Sequence, residues 1–492
     1  MRNRYSINRL LIILAMAFIL NSIVFSQEKA SEQNAPEITM DEFQMKIAEN
    51  HPLFQRVEYG TDIIEVEKRG LLGSQDMNIS AETGVSHFSQ ISQTQPGGLE
   101  NSQSVYIEGG IEQLFWESGG ILSADVSMGN SWYSFEDNPM YSQSPDNAFE
   151  NSIYITYIQP LMKNYKGLLY SLPYEMKDIE IEQSRIDAIE AKEALLAENT
   201  LHFLDWAYYK EENDILEKRR KLAKESLEQN QRRRRSNLID EVDVIRAEAS
   251  LKAAELQTEA NRMNVRALTN RLQEITGDDK IAEYNPKFDI FEMHQLKPVD
   301  SLIAYFIRNS RSLTTMRKTI TILEKSGEIL DESLKDDLSL VTRAGLKQSD
   351  KNFIDALIID QPDVSVSLSW QFPRGKTSGN AEIEANRLKI EQFEKQIEET
   401  EIGIISSIRN IHSKLSDMQE LLGIYRQQIE LAEKQTREEL ELYRQGRNDY
   451  VFVIQSQDAE ESARLNYLKS ALNYQKLYIQ LESILDKFYK PA

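Results

Sequence analysis

From Tyr174 to Thr276 the chain runs 103 residues without a glycine or a proline. Nothing in that stretch punctuates a helix. At about 1.5 Å of rise per residue, the part up to Arg235 alone makes a rod of roughly 90 Å, longer than a globular core requires. A rod of that length spans something. It folds back once. Arg232, Arg233, Arg234 and Arg235 fall in the last turn of the first helix, where cations suit the negative end of the dipole. Ser236-Asn237-Leu238-Ile239 makes the turn, Asp240 is placed to cap the second helix, and Glu241 and Asp243 lie in its first turn. Asn237 tolerates the left-handed backbone that a helical hairpin demands.

The same hairpin occurs twice. The run from Asn237 to Ile245 matches the run from Gly446 to Ile454 at an offset of 209, with Asn237 replaced by the other left-handed residue, glycine. The offset holds without a gap to the end, where Val265, Leu268, Leu272 and Ile275 fall on Tyr474, Leu477, Leu481 and Ile484. The chain is an internal duplication. The helix from about Glu382 to Tyr443 carries Ile383, Ile390, Ile397, Ile404, Ile411, Met418 and Tyr425 seven residues apart, with Ile408, Leu415, Leu422 and Ile429 four residues after the last four, a coiled-coil seam.

Each long hairpin is preceded by a shorter helix and then by strands. Thr39-Met-Asp-Glu42 opens a helix to about Leu72, with Met40, Phe43, Ile47, Phe54 and Val57 on its apolar stripe; its counterpart starts near Asp300. Asn50-His-Pro-Leu-Phe54 resembles Asn309-Ser-Arg-Ser-Leu313 at an offset of 259. After Gly73 the period changes to two. Ile79 to Gln90, Ser104 to Trp116, Ile121 to Tyr133 and Ser152 to Leu161 read as strands, as do Leu338 to Gln348 and Val364 to Phe372 in the second half. The last is the clearest, with Val364, Val366, Leu368, Trp370 and Phe372 alternating against Ser365, Ser367, Ser369 and Gln371. A strand of a soluble sandwich has that pattern. So does a transmembrane β-strand, with lipid on one face, water on the other and aromatics at the interface. Offsets of 259 before the strands and 212 after them locate 47 extra residues in the first half, about one hairpin, near 104–150.

The expected organisation is a signal peptide over 1–26, a polar tether over 27–38, a first repeat over 39–277, a linker over 278–298, a second repeat over 299–488 and a short tail. The first repeat places strands over 79–161 and a helical hairpin over 170–276; the second places strands over 338–372 and a hairpin over 380–488. Arg2, Arg4 and Arg9 precede an apolar run from Leu10 to Phe25, with cleavage expected near Ser26; a retained anchor is the competing reading, although Asn21 and Ser22 interrupt the run.

Composition excludes several classes. A net charge of −22 argues against nucleic acid. The absence of cysteine removes disulfides, thiolate metal sites and a lipid-modified cysteine. His51, His87, His202, His294 and His412 are scattered, with no zinc-type spacing, no phosphate-binding glycine loop and no nucleophile elbow, so no enzyme and no cofactor is expected. The basic run of Lys218, Arg219, Arg220 and Lys221 with Arg232 to Arg235 reads as helix capping and solvation, or as a patch for a partner or membrane headgroups. Four strands, or six with the extra hairpin, cannot close a bilayer-spanning barrel, and open edges in lipid cost several kcal/mol per unsatisfied group. A barrel in this chain must be shared between copies.

These features, from about Thr39 to Phe488, together with Gln159-Pro160-Leu161 at a strand-to-helix junction, resemble the TolC-type outer-membrane efflux proteins. The resemblance implies a mainly α fold with a small transmembrane β part: a homotrimer in which an α-helical barrel continues a shared twelve-stranded β-barrel, or an eighteen-stranded one if the inserted hairpin joins it. It implies the outer membrane of a diderm bacterium and export, by efflux or type I secretion, through a periplasm-spanning tunnel. The implied partners are a periplasmic adaptor, an inner-membrane pump and outer-membrane lipid. Ser236, Asn237, Leu238, Gln445, Gly446 and Arg447 match the adaptor-contacting tips, and Asp243 and Tyr443 match partners in the polar network that closes the periplasmic end. Asn448 stands where a basic partner is common, with Arg447 beside it. Phe452 and Gln455 replace acidic residues of the constriction, which makes a hydrophobic constriction conceivable at Phe452. The alternative is a periplasmic coiled-coil tether that forms no channel.

Overall fold

The computed structural model describes residues 36–89, 99–135 and 146–489; the expected signal peptide and most of the tether lie outside them. In chain order the main elements are α1 (Met40–Asn50), α2 (Leu53–Leu71), β1 (Asn78–Ser89), β2 (Leu99–Phe115), β3 (Gly120–Phe135), β4 (Asn147–Pro160), α3 (Leu168–Arg235) and α4 (Glu241–Thr276), and then α5 (Val299–Asn309), α6 (Arg311–Ser333), β5 (Asp337–Asp350), α7 (Phe353–Ala356), β6 (Gln361–Gln371), α8 (Thr377–Arg444) and α9 (Tyr450–Ile484). Two compact units result. Among the described residues, one comprises those within Tyr59–Asp187 and Ser312–Glu399; the other comprises 36–58, Ala188–Arg311 and 400–489.

The first unit holds a single six-stranded sheet in the order β1-β2-β3-β4-β5-β6, antiparallel throughout. The hairpin β2–β3 overlaps the segment near 104–150 that the offsets single out, and it is an integral part of the sheet. Its inner turn is locked in place. The Trp116 indole donates to Ser74 Oγ at 2.9 Å, its ring meets Tyr174 edge-on at 5.5 Å, and Gln159 Nε2 donates to the Ser118 carbonyl at 2.8 Å. Gly167 has a φ of +65°, and a Cβ there would lie 1.9 Å from the Trp116 carbonyl oxygen, so this close approach requires glycine. Helix α3 starts at Leu168, earlier than the glycine- and proline-free stretch, with Pro173 inside it and the Asn164 side chain accepting from the Leu169 amide at 3.0 Å.

The second unit is helical. Its main core joins Phe43 and Ile47 of α1 to Leu196, Phe203 and Trp206 of α3 and Leu272 of α4, with Ile38 and Ile281; Met40 and Phe54 pack against it. The rings of Phe43 and Phe203 meet at a tilt, with centroids 5.1 Å apart. Thr39 caps α1 with a reciprocal Glu42 bond, and residues Glu37–Thr39 pair in parallel with Asn285–Lys287. The linker lies along α8 and α9: Gln475 Nε2 donates to the carbonyls of Ile290 and Glu292, and His294 stacks on Tyr478 at 3.8 Å. In the seam of α8, Ile408, Ile411, Leu415 and Leu422 are buried, while Ile404, Met418, Tyr425 and Ile429 are half-buried.

One helix expected whole is broken. The run from Thr39 to Leu72 divides at His51, which is extended (φ −79°, ψ 126°) because Pro52 follows and disfavours a helical predecessor. Its counterpart divides at Ser310 (φ −61°, ψ 122°), where no proline explains the break. A charge cluster holds that second break. The Arg311 guanidinium contacts Glu190, Glu193 and Asp486, and the Arg311 amide donates to Asp486 Oδ2 at 2.7 Å. Glu193 is only 3% exposed. Burial raises the pKa values of Glu193 and Asp486 above the usual carboxylate range, against the pull of Arg311.

Candidate functional site

The sheet is amphipathic across its whole width. The register places on one face Ile79 and Val85 of β1, Val105, Ile107 and Ile111 of β2, and Leu122, Val126 and Met128 of β3. Ile153 and Ile155 of β4, Leu338, Leu340 and Leu346 of β5, and Val364, Val366, Leu368 and Trp370 of β6 continue it. Strand pairing carries the apolar face from one free edge to the other, since side chains directly opposite share a face. Burial inside the chain does not account for it: Ile79 is 74% exposed, Ile155 55% and Val364 69%. Phe372 lies one residue beyond β6 and meets Trp370 at 5.1 Å, an aromatic pair at the end of the face nearest the helices.

The opposite face is polar. It carries Glu82, Glu108, Asp125, Arg343, Lys347 and Asp363, with serines at 365, 367 and 369. Its tyrosines lie over glycines of neighbouring strands. Tyr106 is paired with Gly84, where a Cβ would come within 2.6 Å of the ring, and Tyr154 with Gly345, at 2.5 Å. The phenols donate to Glu82 at 2.7 Å and to Asp363 at 2.9 Å; Lys347 Nζ holds Asp363 at 3.0 Å, and the Arg343 guanidinium stacks 3.5 Å from the Tyr154 centroid. Rings laid flat on glycine keep a polar wall open where upright rings would fill the space.

In the helical unit, the two tips share one geometry. Asn237 (φ +52°) and Gly446 (φ +70°) are left-handed. The amides of Asn237 and Leu238 bond to the carbonyls of Arg234 and Arg233, and those of Gly446 and Arg447 bond to the equivalent carbonyls of Tyr443 and Leu442. Leu238 at the first tip is 68% exposed. Asp240 occupies the N-cap position of α4, but its side chain makes no capping bond, contrary to the sequence expectation; Asp449 does cap α9, through the Val451 amide.

Asp449 also joins the tips. Arg233 Nη1 and Nη2 grip its two oxygens at 2.6 and 2.8 Å, a bidentate pair that holds the Asp449 carboxyl below the usual carboxylate range. Beside it Gln229 Nε2 donates to the Tyr443 phenol at 3.3 Å, and the Tyr443 ring meets that of Tyr450 at a tilt, with centroids 5.0 Å apart. Asp243 places its charge near Arg233 without bonding to that pair; its ion pair is with Arg246 on its own helix, at 3.2 Å. Asn448 bonds to Glu439, and Arg447 Nη1 donates to Gln445 Oε1, two residues earlier, at 3.4 Å. Phe452 and Gln455 are exposed on the first turns of α9. The basic run is largely engaged inside the chain: Arg219 with Asp458, Arg220 with Glu217, Arg232 with Glu228 and Arg234 with Glu241. Arg233 was not singled out from its three neighbours by sequence, because only the helix phase at the tip decides which arginine faces the other hairpin.

Among the described residues no cluster of three acids or histidines could hold a metal, and no helix is long and apolar enough to cross a membrane. No family model matches the sequence, and no curated protein matches it either. Solved structures do match. The Campylobacter jejuni CmeC outer membrane channel superposes with a TM-score of 0.64 at 10% identity, over 92% of this chain and 86% of that one. VceC, an outer membrane protein of Vibrio cholerae, gives 0.61 at 10% identity over 91% and 94%. The open state of the Neisseria gonorrhoeae MtrE outer membrane channel gives 0.61 at 10% identity over 91% and 88%. This is the fold of the TolC-type outer-membrane channels. The resemblance drawn from the duplicated hairpins holds at the level of fold, mostly helical with a sheet part. Within that fold the two tips are the α3–α4 and α8–α9 turns of this chain.

Proposed function

We propose that this chain is the outer-membrane channel of a tripartite efflux or type I secretion system, three copies sharing one β-barrel above a tunnel of paired helices. The observation that carries the reading is the apolar face that reaches both free edges of the sheet. In water it is costly, and its edges leave backbone groups unpaired; in a bilayer the face is solvated, and edge-to-edge pairing of β6 with β1 of the next copy removes the edges. The strand direction permits it, because six antiparallel strands end opposite in sense to the way they begin. Along β5 the face spans the nine residues from Leu338 to Leu346, and about 9–11 residues suffice for a tilted strand to cross. Three copies contribute eighteen strands, rather than twelve, within the range of roughly 16–18 that leaves an aqueous channel. A soluble tether gives no account of the exposed face.

In this reading the polar face, with its flattened tyrosines, lines the water-filled pore. Ser236, Asn237, Leu238, Gln445, Gly446 and Arg447 meet the adaptor, which connects the duct to an inner-membrane pump. The Arg233–Asp449 pair is the latch that keeps the two hairpin ends of one copy together at the periplasmic mouth, with Tyr443, Asp243, Asn448, Phe452 and Gln455 around it. Because its folded-state carboxyl pKa is depressed, the latch is fully formed above the ordinary aspartate range, near pH 4, and is released only as pH falls below that. It therefore stays engaged across neutral and mildly acidic pH. In planar bilayers at pH 7, Arg233→Ala and Asp449→Ala are each expected to raise single-channel conductance over the parent several-fold, and the double variant to add little to either. Additive effects contradict a shared latch, and a complete absence of current from parent and variants contradicts the duct.

A further inference from the structure

The loop between β5 and β6 does something that strand alternation alone does not suggest. Residues 351–360 fold back over the sheet on its apolar face. Asn151 Nδ2 donates to the Ala356 carbonyl at 2.8 Å, Asn147 Nδ2 to the Lys351 carbonyl at 3.4 Å, and Phe149 meets Phe353 edge-on at 5.4 Å. Asn147, Phe149 and Asn151 lie on the same face of β4 as Ile153 and Ile155. At this end of the strands the face turns polar: Asn130 stands opposite Phe149, and Gln348 opposite Asn151. Asn151 is 4% exposed and Ala356 fully buried, and the amide oxygens of Asn130 and Gln348 are shut off from solvent. The loop thus covers the place where the apolar face ends. What it presents outward is apolar again: Phe353, Ile354, Leu357 and Ile358 are 53%, 74%, 44% and 62% exposed. Asn352 ties the start of the loop together, its backbone amide donating to Asp350 Oδ1 at 2.9 Å and its side-chain Nδ2 to Asp355 Oδ2 at 3.0 Å.

We propose that residues 353–358 are a lipid anchor, a short amphipathic collar whose Phe353, Ile354, Leu357 and Ile358 enter the outer leaflet at the headgroup boundary. The inference rests on the sheet being the membrane wall, and it adds a contact that the strands do not make. Continuity carries it. The collar begins at Phe353, seven residues beyond Leu346, the last apolar position of β5, and lies against the same face of the sheet through Phe149 and Asn151, so a leaflet that solvates Leu346 and Ile153 also meets Ile354 and Ile358. Apolar side chains flanked by Asp350, Lys351, Asp355 and Asp360 fit the boundary between headgroups and acyl chains.

The chain has no cysteine, so single-cysteine spin labels report cleanly. Labels at Ile354, Ile358 and Asp355, with Val366 and Ser367 as references on the two faces of β6, are compared in liposomes of phosphatidylcholine and phosphatidylglycerol. The readout is collision with oxygen, which concentrates in lipid, against a nickel chelate, which stays in water. The expected result is oxygen-dominated collision at Ile354 and Ile358, severalfold above Asp355 and shallower than Val366. Water-like collision at Ile354 with Val366 still oxygen-dominated overturns the anchor and leaves the membrane wall standing. Water-like collision at both overturns the wall and the anchor together. A label at Ile354 closed to both reagents, with dipolar broadening, overturns the anchor by showing a second copy of the chain in its place.

Discussion

Arg311→Met is expected to destabilise the folded chain by about 3–5 kcal/mol, read as a shift of the urea unfolding midpoint at pH 7. The reason is arithmetic of charge. Arg311 is the cation common to Glu190, Glu193 and Asp486, and its removal leaves three carboxylates together, one of them almost fully buried. Arg185→Met is the control. Its partner Glu65 is 45% exposed and the arginine 62%, and loss of such a surface pair costs about 0–1 kcal/mol. The pH dependence separates a charge effect from lost packing. Glu193 and Asp486 have pKa values raised by burial in the folded state, so between their unfolded and folded values the folded state binds more protons than the unfolded chain. Such groups penalise folding above their folded pKa, and the penalty shrinks as pH falls toward the ordinary carboxylate range. Without Arg311 both are raised further. The deficit of Arg311→Met is therefore expected to narrow on acidification from pH 7 to pH 5; a deficit independent of pH over that range assigns the effect to packing.

Placing a charge on the apolar face of β6 is the second large effect. Leu368→Arg is expected to cost about 2–4 kcal/mol of folding into bilayers, the range for arginine at the midplane of a barrel's lipid face. Ser367→Arg, one residue away and on the other face, is expected to change little. A tilted strand exchanges its two faces every residue, so the contrast between these neighbours is sharper than any single loss. The measurement is the fraction of protein that acquires its protease-resistant form on mixing with liposomes. Equal tolerance of arginine at 367 and 368 removes lipid from the account of this face.

Where the sequence was legible, a residue type had one physical reason to stand where it does. The hairpin turns could be read because a left-handed backbone asks for Asn237 or Gly446. Strand β6 could be read because serine alternates with apolar residues, and the exposed row from Val364 to Trp370 is the result. The inserted hairpin was legible as an offset in the duplication but not as part of the sheet. Its alternation is blurred by Gly109, Gly110 and Gly129, and the pairing of Tyr106 with two glycines is a cross-strand relation that no single strand displays. Breaks in the short helices show the same divide. Pro52 announces the one at His51, whereas the one at Ser310 is held by Glu190, Glu193 and Asp486, residues far from it in sequence. The Arg233–Asp449 ion pair depends on two hairpins meeting, and a run of four arginines gives no register for that.

The measurement that tests the central claim most directly is electron microscopy of the protein extracted in detergent. A shared barrel is expected to appear as threefold particles with a hollow axis, eighteen strands around the detergent-covered end, six from each copy, with β6 of one copy beside β1 of the next. Monomeric particles, or a sheet whose edges stay unpaired and whose apolar face turns inward against another part of the same chain, would contradict it.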